Sequence, residues 1–264
     1  MTDPSPSGRN TETGERRLIP DRALIEKELA ERGLYPYVEV FETTDSTITR
    51  ARDILRQKQG DILVIASSQT QGKGSHGRSF YSPKDTGLYF TAVYRDLPGD
   101  YPVTFAAGTA SVRALGHFGI EASVKWVNDI FLNGYKTGGI LCERTGSGDV
   151  IVGIGINLSE PEGGFPDELS GIAGALDLHD ISRDHLAAVL FCELTEEVHR
   201  EPADVMNRYR QVCGTVGRRI RFDTGEGERR GTAEAVCDDG ALLVLTENGD
   251  RLRFESGNVS IRYI

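Results

Sequence analysis

Apolar and polar positions along the chain fall into two regimes. Up to about residue 212, runs with the period of strands and helices follow one another; from Gly214 only short strand-like runs remain. In the first regime Ile62-Leu63-Val64-Ile65-Ala66 is a continuous apolar run, which reads as a buried strand. Residues 86–95 alternate through Leu88, Phe90, Ala92 and Tyr94 and read as another. Val38-Glu39-Val40-Phe41 is a short strand. Helical spacing appears over 21–32 in Leu24, Ile25 and Leu29, with Asp21 after Pro20 as its cap. It recurs over 103–118 in Phe105, Ala106, Ala110 and Leu115, over 182–199 in Leu186, Val189, Leu190, Leu194 and Val198, and over 203–211. A further helix through Ala51, Ile54 and Leu55 follows Thr44-Asp45-Ser46-Thr47, where Asp or Ser would serve as N-cap.

Val124-Lys125-Trp126-Val127-Asn128-Asp129-Ile130 runs through Phe131-Leu132 to Asn133-Gly134, a strong short-range hairpin signal between two apolar runs. The return run is Tyr135-Lys136-Thr137-Gly138-Gly139-Ile140-Leu141-Cys142-Glu143, and residues 150–158 complete a three-strand meander. Alternation breaks at Asn128-Asp129 and at Gly138-Gly139. Buried polar residues are costly unless they find partners or bind something; a bulge turning a sheet corner accounts for the break equally well. Residues 159–174 form a loop rich in Pro and Gly. In the second regime, short strands at 219–222, 230–237, 241–246, 251–255 and 260–263 are separated by the turns Gly225-Glu226-Gly227, Asp239-Gly240 and Asn248-Gly249, the pattern of a small barrel. The expected division is a disordered tail over 1–17, a catalytic domain over 18–212 and a barrel over 213–264.

Charge and cysteines narrow the class. A net charge of −10 over 264 residues argues against a broad nucleic-acid-binding surface. With one helix before the first strand there is no helix-turn-helix, so no DNA partner is expected. The four cysteines, Cys142, Cys192, Cys213 and Cys237, form no C-x-x-C pair, which disfavours zinc and disulfides and fits a reducing cytoplasm. No stretch is long and apolar enough to cross a bilayer, and the N-terminus has no signal-peptide core, so no membrane partner is expected.

The chemistry concentrates in Gln69-Thr70-Gln71-Gly72-Lys73-Gly74-Ser75-His76-Gly77-Arg78, directly after the strand at 62–66. Glycines at that density bring backbone N–H groups close to an anion, and Lys73, His76 and Arg78 add positive charge at the same place. The loop is no P-loop, because no Gly-Lys-Ser/Thr opens a helix. It is no dinucleotide fingerprint either, since Ser82-Pro83 follows where a helix would start. A plain glycine-rich surface turn stands beside the phosphate cradle as a reading of the loop alone.

Five islands taken together resemble the biotin protein ligases: Asp45-Ser46-Thr47, Gln69 with the 72–78 loop, Lys125-Trp126-Val127-Asn128-Asp129, Lys136-Thr137-Gly138-Gly139-Ile140-Leu141, and Gly153-Ile154-Gly155-Ile156-Asn157. The resemblance runs from about Phe41 to the C-terminus. It implies an α+β fold, a mixed sheet flanked by helices, with a small SH3-like β-barrel at the C-terminus. The implied activity is ATP-dependent activation of biotin as biotinyl-5'-AMP and its transfer to a lysine of a biotin carboxyl carrier protein or carboxylase domain, with Mg²⁺ as cofactor. By position, Ser46, Thr47 and Gln69 correspond to residues that hydrogen-bond the ureido ring, Gly72, Lys73 and Gly74 to the loop over biotin, and Gly139 to the pocket wall. Ser75, His76, Phe80, Asn128 and Asn157 correspond to the nucleotide side. Lys136 and Arg78 correspond to the catalytic cations. No metal ligand is assigned, Asp129 being the one candidate for contact through Mg²⁺.

Departures from the family pattern are specific. The loop is commonly Gly-Arg-Gly-Arg-x-Gly-Arg, and here Lys73 and Ser75 replace two arginines; Lys73 keeps the charge without the bidentate fork. Ile48 stands where Asn is frequent and Val127 where Pro is frequent. A lipoate–protein ligase, which shares the catalytic fold, would carry a loop resembling Arg-Arg-x-Ser-Gly-Gly-Gly, absent here. A biotin-binding regulatory module is the other alternative; a repressor of that kind would need a DNA-binding unit.

Overall fold

Burial on both faces explains why the run at 62–66 is uniformly apolar. In the computed structural model, which describes residues 19–177, 181–224, 227–255 and 259–264, this run is β2 (Ile62–Gln69), an interior strand beside the edge of a seven-stranded sheet. Leu63 and Ile65 point into a large core with α1 (Arg22–Ala30), α3 (Val103–Gly116), α4 (Arg183–Val198) and α5 (Pro202–Val212). Ile62 and Val64 point the other way, into a smaller core with Ile48 and Ala51 of α2 (Thr47–Leu55). Each such aliphatic side chain removed from water contributes roughly 1.5–3 kcal/mol before entropy is counted. The expected tail over 1–17 and the Gly225-Glu226 part of a turn lie outside the described residues.

The other strands are β1 (Tyr37–Thr44), β3 (Gly87–Tyr94), β4 (Ser123–Lys125), β5 (Asp129–Leu132), β6 (Tyr135–Arg144) and β7 (Val150–Asn157), in the order β1-β2-β3-β7-β6-β5-β4. The β1–β2 pair is parallel, with α2 in the crossover, and every other neighbouring pair is antiparallel. The mixed sheet flanked by helices is therefore present as expected. Parallel pairing sets Thr44 beside Gln69, so the chain leaves both strands at the same end of the sheet.

Residues 124–130 are not one strand with a bulge. The chain reverses at 126–128, so that Lys125 on β4 faces Asp129 on β5. The reversal takes Trp126 into the core, where its backbone N–H donates to Thr215 Oγ1 at 2.8 Å and its indole N–H to the Gly240 carbonyl at 3.0 Å. The Trp126–Val127 peptide is cis. At Asn133-Gly134 both residues have positive φ, 52° and 88°, as a type I′ hairpin requires. The register shifts between Ile130 and Phe131, leaving Thr137 as the extra residue on β6.

After α5 come β8 (Arg219–Asp223), β9 (Glu228–Val236), β10 (Leu242–Thr246), β11 (Arg251–Phe254) and β12 (Ile261–Tyr263), antiparallel in the order β11-β10-β9-β8-β12. Ile220, Phe222, Ala233, Val244, Phe254 and Ile261 are buried on one side, which gives this unit a barrel-like interior. The expected small barrel is present as a separate antiparallel sheet that does not close: among the described residues no ladder joins β11 to β12.

Candidate active site

At the end of the parallel pair, Asp45 and Ser46 follow β1 and the glycine-rich loop follows β2. Thr70 N–H donates to Thr44 O at 2.9 Å and Gln71 N–H to Asp45 O at 2.8 Å, tying the two exits together. Asp45 Oδ1 accepts from Ser46 N–H at 2.7 Å and lies 3.0 Å from Arg50 Nε. Burial raises the Asp45 pKa, but the Ser46 N–H, the Thr44 hydroxyl and Arg50 outweigh it and hold the carboxyl below its ordinary value. Ser46 occupies the N-cap position of α2, yet its hydroxyl caps nothing. Its Oγ is buried without any partner, which a protein interior rarely tolerates. Gln69 Oε1 instead accepts from Thr47 N at 2.8 Å and Thr47 Oγ1 at 3.1 Å.

Glycines on β6 and β7 make the floor. Gly139 and Gly155 are cross-strand partners, and the Phe80 ring lies against both. A Cβ at Gly155 would sit 2.3 Å from Phe80 Cε1, and one at Gly153 2.6 Å from Ile48 Cδ1. Bare backbone is therefore what lets α2 and the loop come down onto the sheet. The loop closes on itself: Phe80 N–H donates to Gly72 O at 2.8 Å and Gly74 N–H to Arg78 O at 2.7 Å. His76 at its tip has left-handed backbone (φ 58°). Arg78 is folded back, its Nε donating to Ser75 O at 3.2 Å.

Positive charge gathers at the β4–β5–β6 end. Lys136 Nζ is 2.5 Å from Asp129 Oδ1, and Lys125 Nζ is 4.0 Å from Asp129 Oδ2. Lys125, only 14% exposed in its side chain, has its pKa pushed down by burial and by Lys136, Arg262 and Arg78, against the pull of Asp129. Its ammonium also faces the rings of Phe131 and Tyr263, at 5.2 and 5.7 Å, so β12 contributes to this end. Asp129 thus stands between two lysines.

Ser46, Thr47, Gln69, Lys73, Gly74, Ser75, Phe80, Asn128, Lys136 and Gly139 all line one cleft with about 450 Å³ of empty space, open to solvent. Ile48, Phe90, Ile140, Leu141 and Ile154 supply its apolar walls. Asn128 is fixed by donating Nδ2–H to Ile140 O at 2.7 Å. Gly72, His76, Arg78 and Asn157 do not line it. Gly72 lies under the loop, where a Cβ would be 2.4 Å from Phe80 O, and Asn157 donates to Gly174 O at 3.0 Å. Sequence reasoning assigned no role to Lys125, Arg262 or Ile48. Lys125 carried a signal in hindsight, a lysine four residues before an aspartate inside an apolar run, but reading 124–130 as one strand put the pair out of reach of each other.

Across the sheet from β1 and β2 to β6, the cleft lining passes from neutral polar through apolar to cationic. Residues 40–158 match the Biotin/lipoate A/B protein ligase family, and residues 215–262 match the Biotin protein ligase C terminal domain. The bifunctional ligase/repressor BirA of Bacillus subtilis (strain 168) is 32% identical over 231 residues, covering 81% of this chain and 70% of that protein. The biotin--[acetyl-CoA-carboxylase] ligase of Paracoccus denitrificans is 31% identical over 221 residues, covering 76% of this chain and 91% of that protein. The structure of the biotin protein ligase from Aquifex aeolicus in complex with biotin and ATP is similar with a TM-score of 0.74 at 25% identity, covering 87% of this chain and all of that one. The first family takes in biotin and lipoate ligases alike; because the C-terminal match is specific to the former and both curated relatives cover most of their length, the chain belongs to the biotin protein ligase family.

Proposed function

We infer that this chain joins biotin to ATP as biotinyl-5'-AMP, releasing pyrophosphate, and passes the biotinyl group to a lysine of a biotin carboxyl carrier protein or carboxylase domain. The observation that carries the reading is the buried, unpartnered Ser46 hydroxyl beside Thr47 and Gln69, at the opposite end of the cleft's chemistry from Lys136. Biotin has the same order of properties: a neutral ureido head, an apolar body and a carboxylate. Hydroxyl and amide groups suit a urea better than ions would, and an apolar ligand body needs few polar contacts.

In the first step a biotin carboxylate oxygen bonds to the α-phosphorus of ATP and the bond to pyrophosphate breaks. Two anions must meet, and Lys136, Lys125 and Lys73 offset their repulsion and the charge that develops in transit. Arg78 joins them once the loop releases it from Ser75 and closes over the ligands. Phe80, Asn128 and Ser75 face the nucleotide in this reading, while His76 and Asn157, expected there, lie outside the lining. In the second step the unprotonated amine of the acceptor lysine attacks the acyl carbon, AMP departs with the C–O bonding pair, and the nitrogen loses one proton to solvent as the amide forms. A closed loop keeps water from the anhydride between the steps.

Mg²⁺ fits this site as a companion of the nucleotide. Asp129 lies at the cationic end and is already paired with Lys136, and among the described residues no group of three His, Cys, Asp or Glu side chains could hold the ion by itself. Phosphate oxygens and water would complete its shell, and bound there it would neutralise phosphate charge. The four free cysteines support a cytoplasmic setting. Among the described residues no helix is long and apolar enough to cross a membrane. A division at about residue 212 into catalytic and C-terminal units agrees with the end of α5 at Val212 and the domain match from residue 215. DNA has no part in this reading.

Biotin-dependent exchange of labelled pyrophosphate into ATP tests it. The wild-type chain is expected to exchange with biotin and not with lipoate, and Lys136→Ala to lose about 100-fold or more, as removal of a transition-state charge does. Exchange supported by lipoate, or by neither acid, would refute the reading; an unchanged Lys136→Ala rate would remove Lys136 from it.

A further inference from the structure

Two buried hydroxyls outside the cleft lining bracket the neutral polar end. Thr91 on β3 is fully buried beneath α2, its Oγ1 2.8 Å from Thr47 Oγ1. The Thr47 hydroxyl proton is directed at Gln69 Oε1, an atom that only accepts, so Thr91 must be the donor of the pair. On the other flank Ser82, also buried, donates its hydroxyl proton to Phe80 O at 2.9 Å. It is then left to accept from Gln69 Nε2, at 2.9 Å.

These commitments remove the ambiguity that an amide and a hydroxyl normally have. Gln69 cannot flip: Thr47 N–H is a donor only and fixes Oε1, while Ser82 fixes Nε2. Oε1 is filled by two donors, so one amide N–H is what Gln69 has left. Thr47 Oγ1 gives one proton, receives one, and keeps one lone pair. The head of the cleft is thereby set to offer a donor at Gln69, an acceptor at Thr47 and the unpartnered hydroxyl of Ser46. A carbonyl flanked by N–H groups complements that set; a dithiolane ring, with neither, leaves it unpaired.

We propose that Thr91 and Ser82 are positioning residues that fix the donor–acceptor pattern of the head-group site, and with it the selectivity for a cyclic urea. This rests on the biotin reading above. Neither residue touches the ligand, since Thr91 acts through Thr47 and Ser82 through Gln69.

The test measures biotin binding by calorimetry, and KM and kcat in biotin-dependent exchange, on the full chain. Thr91→Val, which swaps the hydroxyl for a methyl, is expected to raise Kd and KM for biotin by about 10-fold, the order of one lost hydrogen bond, with kcat and KM for ATP within about 2-fold. Thr91→Ser should restore wild-type values. In a Thr47→Ala background Thr91→Val should add no further loss, and Ser82→Ala should likewise add nothing to Gln69→Ala. Biotin binding unchanged in folded Thr91→Val and Ser82→Ala would overturn the proposal, as would losses that add in full in the double variants. Should Thr91→Val fail to fold, Ser82→Ala decides. A wild-type chain that does not bind biotin overturns the functional reading and this proposal together. One that binds biotin while the variants bind equally well overturns this proposal alone.

Discussion

Gly155→Ala adds one methyl group, and the structure says where it goes: 2.3 Å from Cε1 and 2.5 Å from Cζ of Phe80. Ordinary contact needs more than 3.4 Å, so the ring has to withdraw by about an ångström or more. Its retreat is not free, because the same ring also lies 3.4 Å from the Cβ position of Gly139. Overpacking of this kind costs about 1–3 kcal/mol. Gly155 has no positive φ, so no backbone strain adds to the loss. Gly139→Ala is the matched control: it is the cross-strand neighbour, and its methyl would only touch the ring and the Lys136 stem at 3.4 Å.

Urea unfolding of Gly155→Ala, Phe80→Ala and the double variant checks the reasoning. Gly155→Ala should cost about 2 kcal/mol alone and under about 0.5 kcal/mol once the Phe80 ring is gone, a coupling that only a direct contact produces. Gly139→Ala should be near neutral. Equal costs of Gly155→Ala in both backgrounds would show that the glycine makes room for something other than Phe80. The floor of the cleft would then need another account.

Four further outcomes are expected. Burial first, and then Lys136, Arg262 and Arg78, hold the Lys125 pKa below its ordinary 10.5, so the alkaline fall in exchange should begin below the usual lysine range; Asp129→Asn removes the one opposing charge and should move that fall to lower pH, whereas an unmoved profile would exclude Lys125. Stability follows the same group with a definite sign: between the lowered folded pKa and the unfolded value the unfolded chain binds more protons, so stability from this residue rises with pH across that window. Ser75 lines the cleft where the family commonly has Arg, so Ser75→Arg should slow release of biotinyl-5'-AMP by about 10- to 100-fold, the worth of one charge-assisted hydrogen bond; an unchanged rate would show that Lys73 or His76 already makes that contact. Gly240→Ala sets a methyl 2.2 Å from Phe105 Cζ at a residue with φ +85°, beside the carbonyl that holds Trp126, and should cost about 2–4 kcal/mol in urea unfolding; a loss under about 0.5 kcal/mol would show that this junction yields easily.

What was legible along the chain was what neighbours within a few residues decide. The two-faced burial of β2, the helices α3 and α4, and the Asn133-Gly134 reversal all follow from local period or turn chemistry. So did the strands β8 to β12, though not whether their edges would meet. The reversal at 126–128 escaped because the side chain that drives it, Trp126, finds its partners at Thr215 and Gly240. With that reversal hidden, the Lys125–Asp129 pairing was hidden as well.

Ser46 shows the limit most plainly. Ser before a helix reads as a cap from composition, and the position is the cap position, yet its hydroxyl accepts from no helix N–H, while the first helical N–H, that of Thr47, goes to Gln69 on a strand 22 residues away. A local rule placed the residue, and a distant amide completes the polar set around it. The same holds along the line from Thr91 through Thr47 and Gln69 to Ser82. Motif residues can be found by spacing because they must sit where the ligand is. The residues that set their donor and acceptor roles need only touch the motif, from any strand that packs behind it. Selectivity for a head group is therefore written partly outside the motifs that announce the family, and exchange of two family members' motif residues alone should not exchange their selectivity.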